Sequence, residues 1–112
     1  MSISYEGIGE RMVTLPVGTG QDGQVCKVGP YGAADLCANG EKFAGVVVKR
    51  DKGMSLVQLE GFVRVGYSGS KPNCGYVSLT SDGSGKVLVN SNGREYLVVQ
   101  VDASTMTAII KL

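Results

Sequence analysis

With 112 residues, 43% of them hydrophobic and 19% charged, the chain is sized and composed for one globular domain, not for a disordered or membrane-spanning segment. A net charge of +1 argues against a general coat for nucleic acid or for acidic surfaces; the only bias is local, −2 over residues 1–40, +3 over 41–71 and 0 over 72–112. Histidine is absent, which removes the commonest general base, metal ligand and activator of a nucleophile, so an enzyme is not expected.

Residues 1–19 read as an N-terminal arm or edge segment. Met1 to Glu6 lacks the basic start and apolar run of a secretory signal, so synthesis and folding in the cytoplasm are expected. Ile3, Tyr5 and Ile8 follow no clean period and are loosened by Gly7 and Gly9, as in an arm that orders against a neighbour. A short strand is expected over 12–15. Gly18-Thr19-Gly20-Gln21-Asp22-Gly23 matches the spacing of a dinucleotide loop, but a strand pattern follows it directly where a helix is required, so it reads as a turn.

From residue 20 onward a β-barrel domain is expected, with strands over 24–28, 43–50, 57–65, 76–80, 86–90, 94–101 and 106–112. Between 57 and 65 one face reads Val57, Leu59, Gly61, Val63, Val65 and the other Gln58, Glu60, Phe62, Arg64, with Gly61 a candidate bulge or bend. Asn39-Gly40, Lys52-Gly53, Asp82-Gly83 and Asn92-Gly93 are turn signals, the last a hairpin signal, and Ala103-Ser104-Thr105 makes a further turn. Glycine and proline interrupt nearly every potential helix, and 17 glycines in the chain suit a fold of many turns. The expected class is all-β: a small antiparallel barrel or sandwich of about eight short strands in meander connectivity, with an extended N-terminal arm.

Candidate surface residues are few. Lys49, Arg50 and Lys52 gather at one hairpin tip, which suits either contact with an anion such as a phosphate or a solvated turn that protects a strand edge. Phe62 and Tyr96 fall on otherwise polar strand faces, where each is either an interface anchor or packed under a second layer. The aromatics are not interleaved with Lys or Arg as on an RNA-binding sheet, and no carboxylates pair as an acid/base couple. Cys26, Cys37 and Cys74 form no Cys-x-x-Cys and read as buried or half-buried free thiols in a reducing compartment. No metal or cofactor is expected, and no window of about 18 apolar residues offers a membrane span.

The order of Gly23-Gln24-Val25-Cys26-Lys27-Val28-Gly29, then Gly40 to Val48, Gly61-Phe62-Val63-Arg64-Val65, Asn73 to Val77, Asp82 to Val87 and the terminal Ala108-Ile109-Ile110-Lys111-Leu112 resembles the capsid decoration (cement, head-stabilising) proteins of tailed phages. The resemblance spans residues 20–112. It implies a small barrel without chemistry that assembles as a homo-oligomer, trimers being frequent, and binds the major capsid protein on the virion surface. The interface residues would then include Ile3, Tyr5, Ile8, Phe62 and Tyr96. The alternative is a small barrel that binds nucleic acid through the Lys49, Arg50 and Lys52 tip.

Overall fold

A computed structural model describes residues 9–112. Ile3, Tyr5 and Ile8 lie outside the described residues. The described chain is all-β, with ten strands: β1 (Arg11–Pro16), β2 (Val25–Val28), β3 (Ala34–Leu36), β4 (Gly45–Asp51), β5 (Met54–Glu60), β6 (Phe62–Ser68), β7 (Gly75–Ser81), β8 (Val87–Val89), β9 (Arg94–Asp102) and β10 (Thr107–Lys111). Two strands exceed the expected eight. β3 is too short to leave a pattern, and the single run over 57–65 divides at Gly61 into β5 and β6, which belong to different sheets.

The second half of the chain closes into a barrel in the order β6-β10-β9-β7-β8, sealed by a short parallel pairing of β6 with β8 at Tyr67↔Val87 and Ser68↔Leu88. The first half forms a five-stranded sheet in the order β1-β5-β4-β2-β3. That sheet curls until its edges meet, in a parallel bridge between Val17 and Ala34. Residues 17–20 complete the seam. The Gly20 amide donates to the Ala34 carbonyl (3.1 Å), the Leu36 amide to the Thr19 hydroxyl (2.9 Å), and the Thr19 amide to Asp35 Oδ1 (3.2 Å). The Gly18-to-Gly23 motif is thus the turn that seals the first barrel. Gly18 is glycine because a Cβ there would strike the Ala34 backbone carbonyl as well as the Asp35 carboxylate.

The expected meander is therefore replaced by two halves of one strand order, a sheet curled into a barrel joined by a single bridge (the first barrel) and a fully closed barrel (the second). Starting from β1 or from β6, each runs first strand, fifth, fourth, second, third, and closes with a parallel contact between third and first. The registers agree in four of the five pairings; β7–β9, where Ser78 faces Glu95, is offset by two residues from β2–β4, where Val25 faces Val46. Val13 faces Val57 as Val63 faces Ile110, and the seam pair Val17 and Ala34 corresponds to Tyr67 and Val87. A bulge interrupts β4 at Val48, opposite β5, and β9 at Val99, opposite β10, in the corresponding place. The interior positions match in turn. Val13, Leu15, Cys26, Ala34, Val47 and Val57 fill the first barrel where Val63, Val65, Leu79, Val87, Val98 and Ile110 fill the second. Leu79 and Val87 against Cys26 and Ala34 make the second core the bulkier.

The barrels interlock instead of hanging on a linker. Val25 and Val46, on the outer face of the first, join the core of the second, as do Cys37 and Phe43 from the β3–β4 connection. Phe43 stacks on Tyr96 with ring centroids 4.8 Å apart, and the Tyr96 hydroxyl donates to the Phe43 carbonyl (3.4 Å). At the crossover, buried Gln58 donates from Nε2 to the carbonyls of Glu60 and Phe62, both at 3.0 Å, clasping the two sides of Gly61.

The turn signals had mixed fates. Lys52-Gly53 is the two-residue hairpin between β4 and β5, Asp82-Gly83 opens the β7–β8 hairpin, and Ala103-Ser104-Thr105 connects β9 to β10. Asn92-Gly93 is not a hairpin: β8 and β9 both pair with β7, one on each side, and the turn carries the chain over it. Gly93 is required by close approach, since a Cβ there would strike the Leu79 carbonyl.

Candidate interaction surfaces

Both barrel interiors are filled by side chains, so any function of the described residues is exercised from outside. Tyr96 is not on the surface. It is 3% exposed, inside the second barrel, with the Arg94 guanidinium 5.2 Å from its ring centre. Burial and the stacked Phe43 explain its position, so the packed layer holds in place of the anchor. Burial also pushes the Tyr96 phenol up from its ordinary range.

Phe62 is half-buried and divides two hollows. One, of about 560 Å³, is lined by Gly9, Leu59, Glu60, Arg94 and Lys111 among others; the second, of about 320 Å³, runs between the barrels past Met12, Val48 and Val63. Lys49, Arg50 and Lys52 are brought together at the β4–β5 tip, Lys49 and Lys52 exposed and Arg50 half-buried. The Arg50 amide donates to Asp22 Oδ1 (2.6 Å), which ties the tip to the β1–β2 connection.

The thiols divide. Cys74 is exposed, contrary to the expectation that all three are at least half-buried, because it precedes β7 outside the barrel wall. Cys26 and Cys37 are enclosed in the two cores, and burial pushes them up to about 12 and about 11, which leaves them inert as nucleophiles at neutral pH.

Sequence reading missed the two most exposed aromatics among the described residues. Tyr31 is 94% exposed at the crest of the β2–β3 turn, and Tyr76 is 74% exposed near the start of β7. The Tyr31 turn is compact. The Gly32 amide donates to the Gly29 carbonyl and the Gly29 amide to the Ala33 carbonyl, each 2.9 Å. A signal was present in Gly29-Pro30-Tyr31-Gly32, since an aromatic between turn residues has no strand face to bury against. Tyr76 carried none, as alternation alone does not say which face of β7 meets solvent.

The β7–β8 turn is organised by Asp82. Its Oδ1 accepts from the amides of Ser84 (2.8 Å) and Lys86 (3.1 Å), and its Oδ2 from the hydroxyls of Ser68 (2.8 Å) and Ser84 (3.0 Å). Burial alone would raise this carboxyl, but those four donors outweigh it and hold Asp82 below the usual carboxylate range. A depressed carboxyl stabilises the fold at pH values above the unfolded-state value of about 3.9, and that contribution is lost as pH falls through the folded-state value. Asp82→Asn is therefore expected to lower the melting temperature at neutral pH. It should also flatten the loss of stability that the parent shows on acidification below about pH 4, followed by circular dichroism across a pH series.

Comparison with known protein families, with characterised proteins and with solved structures finds no match to this chain.

Proposed function

We propose that the chain is a structural virion protein that binds the outside of a phage capsid as a homo-oligomer and stabilises the shell. The observation that carries this reading is the pair of interlocked, side-chain-filled barrels that present rigid exposed anchors, Tyr31 and Tyr76 foremost. Such a body suits a part that works by contact: it loses little conformational entropy on docking, and tyrosines supply contact area at low rotamer cost. Several copies joined together would convert weak individual contacts into firm attachment by effective concentration. The order of glycine-bounded strands resembling phage decoration proteins supports the same reading, with the major capsid protein as partner.

The test is co-sedimentation with expanded and unexpanded tailed-phage shells, with shell melting followed by calorimetry. Saturable binding that raises the melting temperature of one shell form is expected. A protein that stays in the supernatant with every shell form would overturn the reading.

A second reading, a nucleic-acid-binding barrel, is favoured by the convergence of Lys49, Arg50 and Lys52 on one tip. Fluorescence anisotropy with single- and double-stranded DNA separates the two, because phosphate contacts weaken steeply as salt is raised.

A further inference from the structure

Among the described residues one turn is docked and the turn in the corresponding place of the other half is not. The β7–β8 turn, residues 82–86, and the β2–β3 turn, residues 29–33, correspond in length, in the closing hydrogen bond and at the fourth residue, and differ at the second, Gly83 at φ 90° against Pro30. The Asp82 amide donates to the Lys86 carbonyl (3.0 Å) as the Gly29 amide does to that of Ala33 (2.9 Å), and the fourth residue is a left-handed glycine in both, Gly85 at φ 92° and Gly32 at φ 85°.

Their surroundings differ. The β7–β8 turn sits on the first barrel. The Gly85 carbonyl accepts from the Val25 amide (3.0 Å) and the Ser84 carbonyl from Gln24 Nε2 (3.5 Å), while Asn39 bridges to Asp82. Gly85 is buried so closely that any side chain there would strike Gln24. At Gly32 a Cβ would meet nothing within 4 Å, and Tyr31 beside it is 94% exposed.

This asymmetry fixes the kind of contact. Two barrels related by a twofold axis would each dock a turn on the other. Only one turn is docked, so the contact is head-to-tail; among the described residues it leaves one free turn and the stretch of β7 before Leu79, where β8 no longer pairs and only the Ser78 carbonyl is taken, by the Asn90 amide (3.0 Å). The receiving edge is found from the registers. Cys26 pairs with Leu36 as Leu79 pairs with Val89, so the Val25 position of the first barrel corresponds to Ser78 of the second. Tyr76, two residues along that strand and 74% exposed, marks the edge. Neither the turn, Gly29-Pro30-Tyr31-Gly32-Ala33, nor the edge, Gly75-Tyr76-Val77-Ser78, carries a charge.

We infer that the β2–β3 turn of one copy docks, through Tyr31, on the β7 edge beside Tyr76 of a second copy, repeating between chains the contact that joins the two barrels within one chain. A head-to-tail contact between identical rigid bodies closes into a ring when the rotation permits, and a ring leaves no turn or edge unsatisfied. The inference stands on the intrachain geometry and goes beyond the capsid reading, since it holds whether or not the assembly coats a shell.

Light scattering on the purified chain is expected to give a discrete multiple of 11.7 kDa, little changed between low and high salt. Tyr31→Ala and Tyr76→Ala should each weaken association at least tenfold while leaving the circular dichroism spectrum and melting temperature unchanged. Exposed Cys74 supplies a second measurement: Tyr31→Cys, oxidised with copper phenanthroline, should form interchain disulfides to Cys74 that vanish when Cys74→Ser is added. A monomer at about 100 µM, association indifferent to both tyrosine variants, or cross-linking independent of Cys74 would overturn the inference. Shell binding by a monomeric protein would sink this inference and spare the capsid reading in all but its homo-oligomer; a ring that ignores shells would do the reverse.

Discussion

Gly61→Ala is expected to lose roughly 2–4 kcal/mol of stability, the sum of a backbone conformation that L residues rarely adopt and a crowded site. Gly61 has φ 96°, is buried, and a Cβ there would lie 3.0 Å from the Glu10 Cα and 3.1 Å from the Gly9 carbonyl oxygen. Its own carbonyl accepts the Leu112 amide (2.9 Å), so a shift to relieve the crowding would disturb the chain terminus as well as the crossover. Gly53→Ala is the matched control. Gly53 has φ 76° at the β4–β5 hairpin, and a Cβ there would meet nothing within 4 Å, so only the conformational cost of about 1–2 kcal/mol applies. Urea unfolding of the two variants reads the difference. Equal midpoints would mean that the crossover is not sterically closed.

Phe43→Ala is expected to cost about 3–5 kcal/mol and still unfold in a single transition. Phe43 belongs by sequence to the first barrel's β3–β4 connection, yet it is 4% exposed inside the core of the second, stacked on Tyr96. Removing the ring opens a cavity where the two halves share one core, so both should melt together. Tryptophan is absent, so near-ultraviolet dichroism of the tyrosines and far-ultraviolet dichroism of the backbone are the two probes. Separate transitions at the two wavelengths would show that the barrels fold independently and that the shared core contributes little.

The strands were legible in the sequence because alternation and glycine-bounded turns are local signals. Seven of the eight expected runs each hold a single strand, and the eighth fails only at Gly61, which was visible as a bend but not as a change of sheet. Closure was not legible. Each barrel is sealed by one or two residue pairs between first and third strands, too brief to leave a pattern. The repeat was equally hidden: its halves match in strand order, in all registers but one and in which positions face inward, while the residues filling those positions differ, Cys26 for Leu79 and Ala34 for Val87.

Tyr96 was misplaced for a definable reason. Its face looked polar because Arg94 and Gln100 share its parity. Arg94 sits at the first residue of β9 with its cation over the Tyr96 ring, and the bulge at Val99 turns Gln100 out of step with Tyr96 and Val98. A one-residue bulge inverts every assignment beyond it. Gln58, expected on the polar face, is buried for a different reason: its amide is the clasp across Gly61.

The closure of one sheet and the curling of the other bear on how the chain resists self-association through its strand borders. Open strand borders act as templates for fibril growth, and a polypeptide made in many copies meets its own borders constantly. Here the second sheet is closed; in the first, the seam formed by residues 17–20 covers the β3 border, while β1, with Arg11 and Pro16 at its ends, keeps an outer border unpaired among the described residues. Leaving the first sheet a single six-residue strand border is the physical return on curling a five-stranded sheet towards itself.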